Sequence, residues 1–147
     1  MSHRAYVTEG LSDIERSRYA RHLVLPQVGE AGQILLLKSS VLVVGAGGLG
    51  SPAMMYLAAA GIGKIGIIDN DIVESSNLQR QIIHSTSSVG ESKAVSAKNR
   101  LTELNPHIEV TAYESRLNAE NAVSIIDKYD LVIDGTDNFS TRYLIGD

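Results

Sequence analysis

The sequence predicts an α/β domain built on a doubly wound parallel sheet with right-handed crossovers. Three observations carry this. Short apolar, β-branched runs alternate along the chain with helical stretches in the order β-α-β-α-β-α-β. Val41-Leu42-Val43-Val44 is apolar without a break, as a strand buried on both faces requires. A glycine-rich turn, Gly45-Ala46-Gly47-Gly48-Leu49-Gly50, joins that first strand to the next helix.

The elements follow in order. Ser12-Asp13-Ile14-Glu15 is a capping box, in which Ser12 and Glu15 satisfy each other's free backbone N–H groups, and it opens a helix through about Arg21. Pro26 biases Leu25 away from helix, so HLVLP is expected to be extended. A second helix is predicted from Glu30 to Lys38. After the first strand and the glycines, SPAMMYLAAA reads as a small-residue helix to Gly61, with Pro52 near its first turn, where a missing N–H costs little. Lys64–Asp69 reads as the second strand. Residues 70–88 form a long polar loop, a length uncommon without a function. A helix from about Glu91 to Leu104 is stopped by Asn105-Pro106. Ile108–Tyr113 alternates as a strand, Asn118 caps a helix through Asp127, and Asp130–Asp134 is the fourth strand. The division expected is an N-terminal helical segment, 1–38, and a nucleotide-binding domain, 39–147. The last residues read as the start of a further helix, so the domain is expected to be incomplete at its C-terminus.

Composition narrows the function. The chain has 147 residues, 44% hydrophobic and 20% charged, as a soluble globular domain has. Thirteen basic and 17 acidic residues give a net charge of −4, so no polybasic surface for nucleic acid or an anionic membrane is expected. There is no cysteine, which removes disulfides, thiolate metal sites and a cysteine nucleophile from this stretch. His3, His22, His84 and His107 show no metal-ligand spacing. The N-terminus lacks the apolar core of a signal peptide, and no apolar run approaches a membrane span. A cytoplasmic location follows as the expectation, with Asn138-Phe139-Ser140 a chance match to the glycosylation sequon. His84 and Tyr143 are read as structural.

The glycine turn carries the first chemical signal. In a Rossmann-like unit, Gly45 permits the tight turn, Gly47 lets backbone approach a phosphate, and Gly50 allows helix and strand to pack closely. Free N–H groups and the helix dipole then favour an anion. Asp69 ends the second strand about 20 residues later, where a carboxylate accepts hydrogen bonds from a ribose. Asp71 lies two residues further on. These features fit NAD and ATP equally, so a dinucleotide oxidoreductase stands as an alternative at this point.

The residues that follow separate the two by resemblance. SNLQRQ (76–81), VGESKA (89–94), LNPHIEV (104–110) and DLVIDGTDNFSTRYL (130–144), with RYARHLVLPQVGEAGQ upstream, resemble the successive signatures of the MoeB/ThiF/HesA family along nearly the whole chain. The resemblance implies a ThiF-type, ATP-binding variant of the sheet and a homodimeric adenylyltransferase. Such an enzyme activates the C-terminus of a small ubiquitin-like sulfur-carrier protein, as in molybdenum cofactor or thiamine biosynthesis. It also implies roles: Gly48 packs against the nucleotide, Asn77 and Arg80 contact the triphosphate with Gln81 nearby, and Lys93 contacts phosphate. Asp137 coordinates Mg²⁺, Asn138 lies beside the nucleotide, and Arg21 reaches the phosphates of the opposite subunit. Family members continue past the equivalent of Asp147 with paired CxxC motifs that bind a structural zinc. A catalytically incomplete binding half of an activating enzyme is the remaining alternative, against which the joint presence of Arg80, Lys93 and Asp137 speaks.

Overall fold

Ser40–Val44 forms strand β1 with all five residues buried, as its unbroken apolar run requires. In a computed structural model that describes residues 10–48 and 50–135, this strand lies inside a four-stranded parallel sheet. The partners are β2 (Lys64–Ile68), β3 (Glu109–Tyr113) and β4 (Leu131–Asp134), in the order β3-β2-β1-β4. The register is unslipped: Val44 pairs with Ile68 and Asp134, and Ile68 with Tyr113. Their carboxyl ends therefore align along one edge. The ladder continues one residue beyond it, through Gly45 N to Ile68 O (2.9 Å), Asp69 N to Tyr113 O (3.1 Å) and Gly135 N to Val44 O (2.8 Å).

Alternation along each strand divides the core in two. Val41, Val43, Ile65 and Ile67 face a layer from helices α4 (Gly50–Ala60) and α5 (Lys93–Leu104), whose Met54, Ala58, Ala94, Ala97 and Leu101 are fully buried. Small residues on this side let the helices lie close to the sheet. Leu42, Val44 and Ile68 point to the other face, covered by Leu117, Tyr129 and helix α6 (Ala122–Ile126). After β3 the chain returns past β2 and β1 to reach β4, so the strand order reverses beside β1. Ligands of open α/β sheets bind at such a switch point, outside the carboxyl ends.

The N-terminal helices are α1 (Asp13–Arg18), α2 (Ala20–Leu23) and α3 (Gly29–Lys38). The capping box is present, with Ser12 N donating to Glu15 Oε1 (2.9 Å) and Glu15 N to Ser12 Oγ (3.1 Å). Three local expectations are corrected. The first helix breaks at Tyr19, whose side chain is only 3% exposed. Its hydroxyl accepts a hydrogen bond from Asn105 Nδ2 (2.9 Å), and this tertiary anchor overrides helix continuation. The HLVLP segment is not extended. The helix runs to Leu23, and turns follow in which the Leu25 carbonyl accepts from Val28 N and Gly29 N. Pro26 has no N–H to continue the helix, but a turn meets that constraint as well as a strand does. Asn118 caps a turn, through Glu120 N and Asn121 N, and the helix proper starts at Ala122. Among the described residues, no helix is long and apolar enough to cross a membrane.

Candidate functional site

A cleft of about 700 Å³ opens along the carboxyl edge, lined by the residues that follow β1, β2 and β3 and by the 70–93 segment. The glycine turn forms its floor. Gly45 has φ +97°, a left-handed conformation costly for residues with a Cβ. At Gly50 a Cβ would overlap the carbonyl oxygen of Gly45. The two glycines thus let the chain leave β1, turn sharply and enter α4 against its own backbone. Ser51 fixes the turn through Ser51 N and Oγ, both donating to Gly47 O (2.9 and 2.6 Å).

Asp69 stands beside this floor. Its Oδ2 accepts from Ala46 N (2.8 Å) and its Oδ1 from Asp71 N (2.7 Å), so backbone donors hold the carboxylate. Each oxygen retains a lone pair for a hydroxyl in the cleft. The 70–92 loop is folded back on itself: Val73 N donates to Glu91 O and Gly90 N to Val73 O (both 2.8 Å), with a bridge between Ile72 and Ser92. A 3₁₀ turn at Ser75–Asn77 and the bonds from Arg80 N and Gln81 N to Asn77 O (3.2 and 2.9 Å) then bring three side chains to the cleft. Asn77 Oδ1 is taken by Glu74 N (2.9 Å), which leaves its amide N–H groups as donors. The Arg80 side chain runs along Gly48, about where a Cβ would stand (3.7 Å to Nε). Gln81 is 4% exposed, and its Oε1 has no hydrogen-bond partner among the described residues. A buried carbonyl without a donor costs about 1–3 kcal/mol. A ligand hydroxyl, amino group or ligand-bound water would satisfy it.

Lys93 is the first residue of α5, behind Ser92, whose Oγ accepts from Val95 N (3.3 Å). Its backbone N–H donates to Asp71 O (2.9 Å), while Nζ lies 4.0 Å from Asp71 Oδ2. That is the outer limit of an ion pair, and the carboxylate is largely exposed, so the ammonium is only weakly neutralised. A lysine at a helix N-terminus opposes the dipole, and an anion between the two relieves the conflict.

The cleft therefore gathers Gly45, Gly47, Gly48, Asp69, Asp71, Asn77, Arg80, Gln81 and Lys93. Gly50 closes the turn behind it. Arg21 lies exposed on α2 and does not line this cleft. Asp137 and Asn138 lie outside the described residues. Sequence reasoning passed over Ser115, Arg116 and Leu117, which line the cleft past β3. Their signal is positional, since they follow a parallel strand at its carboxyl end. Among the described residues, no group of three or more His, Cys, Asp or Glu is arranged to hold a metal ion.

His84, read as structural, is buried behind the glycine turn. Its Nε2 lies 2.8 Å from Ala46 O and its Nδ1 2.7 Å from Ser96 Oγ. Burial lowers its pKa from the ordinary 6.5, and the Lys93 charge acts in the same direction. The bond to Ala46 O and the Asp69 charge oppose this.

A sequence model of the ThiF family matches residues 19–147, and the chain belongs to that family. It is 56% identical over 133 residues to a probable molybdopterin-synthase adenylyltransferase of Porphyra purpurea, covering 90% of this chain and 35% of that protein. To a sulfur carrier protein adenylyltransferase of Thermus thermophilus it is 54% identical over 133 residues, covering 90% of this chain and 49% of the relative. The chain thus spans between a third and a half of these relatives' length. Among solved structures, it is similar to the tRNA N6-threonylcarbamoyladenosine dehydratase TcdA of E. coli in complex with ATP. There the TM-score is 0.80 at 34% identity, covering 86% of this chain and 52% of that one.

Proposed function

We propose that the full-length protein adenylates the C-terminal carboxylate of a small ubiquitin-like sulfur-carrier protein, using ATP and releasing pyrophosphate. One observation carries this reading: a glycine turn at the carboxyl edge shares one cleft with Arg80, Lys93 and the Gln81 side chain. The names of the Porphyra and Thermus relatives support the same substrate class.

The carrier's terminal carboxylate is ionised at neutral pH and needs no general base. One of its oxygens attacks the α-phosphorus, the bond from that phosphorus to the bridging oxygen breaks, and pyrophosphate leaves with the electron pair. Negative charge grows on the phosphoryl oxygens and the leaving group. Arg80 offers a planar fork for two oxygens, and Lys93 a point charge. Each fixed donor of this kind is worth about 2–4 kcal/mol in the transition state. Asp69 orients the ribose, Asn77 donates to phosphate, and Gly45, Gly47, Gly48 and Gly50 keep backbone close to the nucleotide.

Mg²⁺ takes oxygen ligands and retains several waters, so one carboxylate suffices beside the phosphates, and Asp137 is assigned to it, with Asn138 adjacent. Bound there, the ion would neutralise phosphate charge. Asp71, by its place opposite Lys93, sets the charge balance of the cleft. We assign Arg21 to the site of a second subunit in a homodimer. We further assign residues 1–38 to a helical segment and 39–147 to the nucleotide-binding domain, with any structural zinc in sequence beyond Asp147. Molybdopterin synthesis is the pathway favoured over thiamine, in the cytoplasm.

The test is ATP–pyrophosphate exchange by the full-length protein with its carrier. Exchange is expected only when the carrier's C-terminal carboxylate is free, and to be lost in Asp137→Ala. Exchange indifferent to the carrier's terminus refutes the substrate assignment. Binding of NADH but not ATP, in a parallel titration, favours the oxidoreductase reading instead.

A further inference from the structure

We infer that His84 is a positioning residue that sets the phosphate-binding geometry of the glycine turn. This inference rests on the nucleotide reading above. A carbonyl oxygen can only accept, so Nε2 of His84 carries the proton toward Ala46 O. In the neutral ring Nδ1 is then an acceptor, and Ser96 Oγ donates to it. The Ala46 carbonyl thus specifies the tautomer, and the Ser96 hydroxyl, able to donate or accept, holds the other nitrogen of the ring.

The consequence for the turn lies in the peptide that His84 holds. In a trans peptide the C=O and N–H point in opposite directions. His84 is buried and does not line the cleft, whereas Gly47 does. Drawing the Ala46 carbonyl toward the imidazole therefore turns the Gly47 N–H away from it, toward the cleft. The preceding peptide is fixed by Asp69 Oδ2, which accepts from Ala46 N. Ala46 is thus held at both its polar atoms, by the carboxylate assigned to the ribose and by the imidazole.

The same residue aligns the cations. His84 N donates to Gln81 O (3.1 Å), which ties the imidazole to the segment carrying Arg80 and Gln81. Against the glycine turn this segment is in step: Arg80 beside Gly48, Gln81 beside Gly47, His84 on Ala46. Ser96 lies in α5, close to one turn after Lys93, so the other ring nitrogen joins the helix that presents the ammonium. His84 thus joins the glycine turn and α5 through its ring, and the Arg80 segment through its backbone N–H.

The test uses amide isosteres in the full-length protein. The Gln amide nitrogen falls near the position of Nε2 and keeps the Ala46 bond, whereas the Asn amide falls near Nδ1 and keeps only the Ser96 bond. His84→Gln is expected to bind ATP within about threefold of the parent. His84→Asn is expected to bind about tenfold or more weakly, the worth of one buried hydrogen bond. The two should unfold at similar temperatures. Ser96→Ala, which removes the bond between α5 and Nδ1 with little change in packing, is expected to weaken ATP binding by about three- to fivefold. It should also alter the imidazole ¹⁵N shifts, which in the parent mark a protonated Nε2. Equal weakening by Gln and Asn in proportion to lost thermal stability, or no weakening by Asn, overturns the inference. A parent protein that does not bind ATP at all overturns the nucleotide reading itself, and this inference with it.

Discussion

Replacing Arg80 by alanine in the full-length protein is expected to lower carrier-dependent ATP–pyrophosphate exchange by about 100- to 1,000-fold, the loss typical of one preorganised donor to a developing oxyanion. The expectation comes from where the side chain runs. It crosses Gly48 at the mouth of the glycine turn, where no Cβ obstructs it, from a backbone fixed by Arg80 N bonding to Asn77 O. The side chain is exposed, so in the free protein it is solvated, and its removal should hardly change folding stability. That separation is diagnostic. Exchange should collapse while the melting temperature stays within about 2 °C of the parent. Arg80→Lys should recover only part of the rate, because a point charge cannot engage two oxygens at once. A rate within about threefold of the parent for Arg80→Ala would remove Arg80 from the transition state.

Gly50→Ala is expected to act on folding and binding together. The new methyl group would overlap the carbonyl oxygen of Gly45, and both groups are backbone. Neither can yield cheaply. Gly45 is tied to β2 through its bond to Ile68 O, and α4 is pressed against the sheet by Met54 and Ala58, both fully buried. Gly135, after β4, packs on the same spot, with its own Cβ position 2.9 Å from Gly50 Cα. Relief therefore requires α4 to move away from the strands, an overpacking cost of about 3 kcal/mol, or roughly 10 °C in melting temperature for a domain of this size. Nucleotide affinity should fall as well, since the displaced helix takes the turn with it. Thermal unfolding with and without ATP reads both effects. A stable variant with unchanged affinity would contradict the packing described.

The two central strands were legible because β1 and β2 are buried, so the apolar runs at 41–44 and 65–68 need no tertiary information to stand out. The run at 131–133 stood out by composition alone, since Leu131 in edge strand β4 is exposed. The carboxyl-edge site was legible for a related reason. A glycine turn and a carboxylate at the ends of adjacent strands become neighbours once the register is unslipped, as Val44 and Ile68 are here. What could not be read rests on partners distant in sequence. Tyr19 breaks the first helix because Asn105, from the far end of α5, bonds its hydroxyl. The turn at 24–28 and an extended segment satisfy Pro26 equally, so local chemistry did not choose. His84 looked like any histidine in a loop, because its two partners, Ala46 and Ser96, lie on separate elements. Ser115 and Arg116 carry no motif, and only the position of β3 beside β2 turns them toward the cleft.

The central claim is that fixed cations and the glycine turn surround the phosphates of an adenine nucleotide at this edge of the sheet. A crystal structure of the full-length protein with a non-hydrolysable ATP analogue and Mg²⁺ tests it most directly. The account predicts phosphate oxygens within hydrogen-bond distance of Arg80, Lys93 and the backbone of the 45–50 turn, with the ribose on Asp69. A nucleotide bound elsewhere, or Arg80 and Lys93 turned away from its phosphates, would contradict it.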